Sequence, residues 1–188
     1  MQDGNVFVIG PEVELVERCL AGDAAAARLF VETFQGSIFG LCCRMVGQRE
    51  DAEDVTQEVF TRAFRSLGGW DKLRPLKPWL LMIAANCCRT ALSKRIRTPT
   101  SNEILKELPG KPEAIRDTDV SEAVQRALAT LREDHRLCFV LFYEQELSVS
   151  QISQTLGCPE GTVKTWLHRA RRDIANVLRD LGFDQQPE

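Results

Sequence analysis

The sequence predicts an all-α protein built as two small helical domains joined by a flexible linker, the second domain a helix-turn-helix. Three observations lead there. Apolar residues recur at three- and four-residue spacing in one segment after another, the signature of helices with one buried face. No segment sustains the apolar–polar alternation of a half-buried strand. The stretch from Ile96 to Val120 interrupts the helical pattern with Pro99, Pro109, Gly110 and Pro112, few large apolar residues and no aromatic. The boundaries that follow are a first domain over 12–95, a linker over 96–120 and a second domain over 121–180. A chain of 188 residues, 44% hydrophobic and 27% charged, has the balance of a soluble globular protein and is too short for a large multidomain enzyme.

The elements can be read in order. Pro11, with Glu12 and Glu14 behind it, opens a short helix that Gly22 closes. Asp23 can cap the next helix, whose apolar set is Leu29, Phe30, Phe34, Ile38, Leu41 and Val46. A third helix runs from about Glu50 to Leu67 on a stripe of Val55, Val59, Phe60, Ala63, Phe64 and Leu67, and Gly68 and Gly69 end it. A loop with Trp70 and two prolines leads to a fourth helix from Pro78 to about Arg95, apolar in its first half and basic in its second. Trp79 continues its apolar stripe with Leu80 and Ile83 and reads as core. Beyond the linker, Ser121–Leu131 and Glu133–Tyr143 are two amphipathic helices with Leu128, Leu131, Leu137, Val140 and Leu141 facing inward. Ser148 then caps a helix through Leu156, Gly157 breaks it, and Pro159 suits the first position of a last helix. Val163, Trp166, Leu167, Ala170, Ile174 and Val177 form the inward face of that helix. Ile152, Ser153, Leu156, Gly157, Val163 and Trp166 fit a helix-turn-helix template, with a small residue under the turn and glycine at the corner.

Net charge is only −3, which argues at first against a nucleic-acid partner, but the distribution is uneven. Glu50, Asp51, Glu53, Asp54 and Glu58 crowd nine positions without a base. Lys72 to Arg97 holds seven bases and no acid, and Thr162 to Arg172 holds Lys164, Arg169, Arg171 and Arg172, again with no acid. One acidic and two basic surfaces are implied. On the last helix, Lys164, Thr165, His168, Arg169 and Arg172 face outward, with Glu160 and Thr162 at its amino end. Such groups suit a major groove: Lys and Arg hold phosphates, Arg grips guanine by two hydrogen bonds, and Glu accepts from cytosine.

Cys19, Cys42, Cys43, Cys87, Cys88, Cys138 and Cys158 form no CxxC pair, and both adjacent pairs fall inside apolar helical patterns. They read as buried structural thiols. The alternative is a redox or soft-metal sensor at Cys42/Cys43 or Cys87/Cys88. The two histidines lie in no HExxH context, which sets aside a zinc hydrolase. The longest strongly apolar run, Pro78 to Cys88, is shorter than the roughly 20 residues of a membrane span, so no membrane insertion is expected. The first residues, MQDGNVFVIGPEVE, do not resemble a secretory signal. A cytoplasmic protein is the expectation.

Three blocks carry a family resemblance: DAEDVTQEVFTRAFRSL (Asp51 to Leu67), PWLLMIAANCCRTALSKR (Pro78 to Arg95) and LSVSQISQTLGCPEGTVKTWLHRARRDI (Leu147 to Ile174). In order and separation they resemble the extracytoplasmic-function (ECF) branch of bacterial RNA polymerase sigma factors, over about residues 12 to 180. The resemblance implies a transcription initiation factor without catalysis or cofactor of its own, whose partners are core RNA polymerase, promoter DNA and an anti-sigma factor. It implies that Asp51, Asp54, Gln57 and Glu58 dock on the polymerase. It also implies that the loop from Gly68 to Lys77 and the helix after it capture the single-stranded minus-ten element, with Asn86 in the family's IAxN pattern. Lys77, Arg89, Lys94, Arg95 and Arg97 would hold phosphates there, and aromatics would stack on unpaired bases. Relatives carry an aromatic just before the Trp-Leu pair, where this chain has Leu76-Lys77-Pro78; either Trp70 takes over the stacking or the pocket is less aromatic. Glu160, Thr162, Lys164, Thr165, His168, Arg169 and Arg172 would read the minus-thirty-five element. A flexible linker of 25 residues reaches about 25–30 Å, so both elements can be held at once.

Two rival readings share these features. One is an operator-binding regulator that works without polymerase, which the acidic face and second basic surface disfavour. The other is a sigma mimic that sequesters an anti-sigma factor, which would have no need of Lys164, Arg169 and Arg172. An enzyme would require a nucleophile–base pair, phosphate loop or carboxylate constellation, and the sequence offers none.

Overall fold

The computed structural model describes residues 10–97 and 117–183, and among these every regular element is helical. Four helices precede the undescribed segment: α1 (Pro11–Leu20), α2 (Ala24–Val46), α3 (Arg49–Ser66) and α4 (Leu76–Arg97). Four follow it: α5 (Asp117–Thr130), α6 (Glu133–Tyr143), α7 (Val149–Leu156) and α8 (Glu160–Asp180). A single 3₁₀ turn, Leu67–Gly69, closes α3. The helical bounds leave 98–116 as the inner part of the expected linker, and these residues lie outside the description.

Local chemistry sets the helix ends. Asp23 accepts hydrogen bonds from the Ala25 and Ala26 amides at 2.8 and 3.2 Å and so caps α2. Gly47 ends that helix at φ +82°, a left-handed conformation that costs glycine nothing. Helix α4 begins at Leu76, two residues before the sequence expectation. The reason is long-range: the Glu12 carboxylate of α1 accepts the Leu76 amide at 3.0 Å and caps the helix from a distance, which leaves Pro78 inside the first turn. Ser148 and Gln151 form a reciprocal capping box on α7. Pro159 is the residue before α8 rather than its first residue, with an extended ψ of 146°.

Helix α2 is the hub, packing against α1, α3, α4, α5 and α6. By length and composition α2 is apolar enough to cross a membrane. Here it is a core helix, with Phe30, Phe34, Ile38, Leu41, Cys42, Met45 and Val46 buried. Phe30 lies 5.2 Å from Phe34 and from Phe64 and 6.4 Å from Phe60, ring centre to ring centre, in tilted and edge-on geometries. Leu29, expected with the apolar set, is instead about half exposed, because it sits one residue off the buried stripe. Trp79 and Trp166 are partly buried against the core rather than enclosed by it.

Phe30→Ala should cost about 3–5 kcal/mol, because it empties the centre of the aromatic cluster. Leu29→Ala should stay within about 0.5 kcal/mol. Urea unfolding of the two variants checks both.

Candidate nucleic-acid and polymerase interfaces

The helix-turn-helix is α7, a tight corner and α8. Gly157 takes φ +65° at the corner, and the Ser153 hydroxyl donates to the Cys158 carbonyl at 2.6 Å, which is why a small hydroxyl residue fits beneath the turn. Val163, Leu167, Ala170 and Ile174 are buried along the inner face of α8. The 3.6-residue period then fixes the outer face. Glu160, Lys164, Thr165, His168, Arg169 and Arg172 are exposed and Thr162 is half-buried, so all seven expected residues line one side of the helix. Lys164 lies 4.0 Å from Glu160, and Arg172 lies 3.1 Å from Asp173. Both pairs are open to solvent, so they hold the cations only weakly. Behind this face, buried His135 sits 6.4 Å from the Trp166 ring, and burial, with Arg132 and Arg169 nearby, keeps its imidazole below the ordinary histidine range. It supports the helix from inside rather than facing outward.

Asp51, Asp54, Gln57 and Glu58 are all exposed on α3. Asp51, Asp54 and Glu58 line an open groove of about 660 Å³ between α3 and α4, together with Arg62, Cys87, Lys94 and Arg95. Arg95 reaches to 3.9 Å of Asp51, and its guanidinium also donates to the Val46 carbonyl at 3.4 Å. A hydrogen bond from Arg62 holds the Glu58 carboxyl below the usual carboxylate range. Two of the cations that the sequence grouped with the minus-ten set, Lys94 and Arg95, therefore share this groove with the acids. The linear charge runs hid this, because residues forty positions apart become neighbours only when α3 packs on α4.

The rest of the minus-ten set divides. Asn86 is exposed on α4. Trp70 is buried, 6% exposed, and its indole N–H has no partner among the described residues. Its ring lines a cavity of about 210 Å³ with Pro75, Pro78, Trp79 and Met82 on one side and Gln151, Gln154 and Thr155 of α7 on the other. Lys77 and Arg89 are half-buried and engaged by the other half of the chain. Lys77 Nζ donates to the Gln145 carbonyl at 3.0 Å. Arg89 reaches Asp134 at 2.9 Å and Glu133 at 3.5 Å. The side chain of Arg97 lies outside the described residues.

Sequence reasoning missed Gln145. This residue is 6% exposed, in the turn between α6 and α7, and its side-chain amide donates to the Ser37 carbonyl of α2 at 3.2 Å. Nothing in the local sequence separates it from the exposed Glu144 and Glu146 that flank it.

The family model for sigma-70 region 2 matches residues 30–98, and that for sigma-70 region 4 matches 121–174. The chain is 32% identical over 181 residues to the RNA polymerase sigma-H factor of Pseudomonas aeruginosa, covering 89% of this chain and 94% of that protein. It is 30% identical over 179 residues to the ECF RNA polymerase sigma factor SigW of Bacillus subtilis, with 88% and 96% covered. The chain belongs to the ECF sigma factors of the sigma-70 family. It is thus a transcription initiation factor that directs RNA polymerase to promoters. Two solved structures share the fold: CnrH in complex with the cytosolic domain of CnrY (TM-score 0.67, 22% identity, 89% of this chain and 96% of that one) and the sigma factor RpoE in complex with the anti-sigma factor NepR from Bartonella quintana (0.68, 21%, 81% and 96%).

In this sigma factor the cysteines are split by burial. Cys42, Cys87, Cys88 and Cys138 are buried, while Cys19, Cys43 and Cys158 are half-buried. Cys42 and Cys88 lie 3.9 Å apart, sulfur to sulfur, between α2 and α4. Among the described residues no three potential ligands gather to hold a metal. Hydrogen bonding to Cys42 and burial both push the Cys88 thiol up, and burial pushes Cys138 up to about 12. Burial pushes Cys19, Cys43 and Cys158 up as well, and Cys42 alone is lowered, by its hydrogen bond with Cys88, so access to the sulfur rather than thiolate character sets the order. A thiol titration on the native factor at pH 8 should react the half-buried Cys19, Cys43 and Cys158 first. The other four should appear only on unfolding, and peptide mapping of the labelled sites checks the order.

Proposed function

We propose that this sigma factor docks on core RNA polymerase through the acidic rim of the α3–α4 groove, holds the strand-separated minus-ten element on the 68–77 loop and α4, and reads the minus-thirty-five element with α8. The observation that carries the reading is the outer face of α8, where Lys164, His168, Arg169 and Arg172 stand exposed on the second helix of a helix-turn-helix. The exposed Asp51, Asp54, Gln57 and Glu58 give the opposite polarity on α3, suited to a basic partner surface. On α4, Asn86 supplies an exposed amide for base edges, with Lys77 and Arg89 for phosphates. The buried Trp70 would have to turn outward to stack on a base, so in this reading the pocket wall that contacts DNA is less aromatic than in relatives. Polymerase performs the chemistry and the factor catalyses nothing itself. Its place of action is the cytoplasm, and its controlling partner is an anti-sigma factor; the solved complexes of similar fold support that last assignment.

In-vitro transcription with bacterial core polymerase on a promoter library tests the reading, and factor-dependent starts that share two spaced upstream elements are expected. Arg169→Ala should weaken recognition of the upstream element by about 1–3 kcal/mol and relax its sequence preference. Unchanged selectivity would remove Arg169 from the reading face. The charge reversal Asp54→Lys with Glu58→Lys should lower holoenzyme assembly, read by gel filtration with core polymerase, while circular dichroism shows the helices intact.

A further inference from the structure

Packing of α2 on α4 gives the two adjacent cysteine pairs new partners. Neighbouring residues of a chain hold their Cα atoms about 3.8 Å apart, short of the roughly 4.4–6.8 Å that a disulfide spans. Neither Cys42 with Cys43 nor Cys87 with Cys88 can therefore bridge unless its peptide leaves the helix. The close approach runs between helices instead: Cys42 of α2 and Cys88 of α4 are both fully buried, and their sulfurs stand 3.9 Å apart. Their neighbours lie elsewhere, with Cys43 half-buried and Cys87 on the wall of the α3–α4 groove beside Glu58 and Arg62. The two facing sulfurs are not equivalent. Cys88 Sγ donates to Cys42 Sγ, which holds the Cys42 thiol below its ordinary range, while the same bond and burial push Cys88 up. A sulfur biased toward thiolate thus lies against one that keeps its proton, which is the division between an attacking and a resolving cysteine.

We propose that Cys42 and Cys88 form an oxidation site for hydrogen peroxide, and that the disulfide they make staples α4 to α2. The Cys42 thiolate attacks one peroxide oxygen, the O–O bond breaks, and the leaving hydroxide takes up the proton Cys42 gave off and departs as water. Cys42 is left as a sulfenic acid. The Cys88 sulfur then attacks the Cys42 sulfur, the S–O bond breaks, and the hydroxyl leaves with the Cys88 proton as a second water. Two thiols are oxidised and one peroxide is reduced to two waters. Burial shuts out bulky thiol reagents, whereas hydrogen peroxide is little larger than the water that a brief local opening admits. The bond draws the sulfurs from 3.9 Å to about 2.05 Å and ties residues 46 positions apart, which restricts the unfolded chain. In a reducing compartment it lasts only while peroxide outruns the thiol pool, so the staple is reversible. The site is internal to the first domain and independent of which faces bind DNA or polymerase.

The test is treatment of the full-length factor with excess hydrogen peroxide, alkylation of the remaining thiols in denaturant, and mass mapping of tryptic peptides without reductant. A link between the Cys42 and Cys88 peptides, lighter by two hydrogens and removed by dithiothreitol, is expected. Cys43→Ala with Cys87→Ala leaves one cysteine on each helix and the reacting pair untouched, and it should form the same link. No link in this variant, a wild-type link through Cys43 or Cys87, or sulfinic acid at Cys42 without a link overturns the site. In Cys88→Ser, shown to be folded by circular dichroism, oxidation should stop at the sulfenic acid, so that unfolding into dimedone labels Cys42. Absence of that label defeats the assigned roles. The oxidised factor should unfold at a urea midpoint about 1–2 M above the reduced one, and an equal or lower midpoint removes the staple.

Discussion

Burial of α2 is the constraint on which the rest of the molecule depends. A helix of 23 residues with Phe30, Phe34, Ile38, Leu41, Cys42, Met45 and Val46 out of solvent cannot be covered by one neighbour. Each such side chain, once buried, contributes about 1.5–3 kcal/mol. Covering the helix takes α1, α3 and α4 from one half of the chain and α5 and α6 from the other. The same apolar demand that builds the first domain therefore draws the second onto it, and the sites are arranged by that docking.

Charge follows packing. With α3 and α4 laid side by side against α2, an acidic face and the basic end of α4 form the two walls of one groove. With α6 laid against α2 and α7 against α4, the first-turn acids of α6 meet Arg89 and the turn after α6 meets Lys77. Glu133 and Asp134 also stand at the amino end of a helix, where the macrodipole favours them, so one pair of carboxylates serves both helix and Arg89. The ion pairs here are half-shielded, with Arg89 31% and Arg44 26% exposed. Pairs of this kind contribute of order 1 kcal/mol or less. Apolar packing of α2 with α5 and α6 supplies the rest of the contact between the two halves.

Much of this was legible in the residues, and the legible parts share a cause. Helix periodicity, the caps at Asp23 and Ser148, the left-handed glycine at 157, and the outer face of α8 all depend on positions within a few residues of one another. The boundary of α4 was misplaced because its cap, Glu12, is contributed from sixty-four positions away. Leu29 was placed inside by a pattern that counts apolar residues without knowing which way the stripe turns, and it is half exposed.

By itself, the sequence determined the helical class, the helix-turn-helix with its exposed cations, the acidic face of α3 and, through three matching blocks, the ECF sigma family. Tertiary structure alone decided the surroundings of each charge. It set Lys94 and Arg95 beside Asp51, Asp54 and Glu58, enclosed Trp70, buried Gln145 between α2 and α4, and gave Lys77 and Arg89 partners from the second half of the chain. The physical reason is that helix formation and capping are governed by near neighbours in sequence, whereas the partner of a charged side chain is chosen by which helices must pack together to keep an apolar core dry.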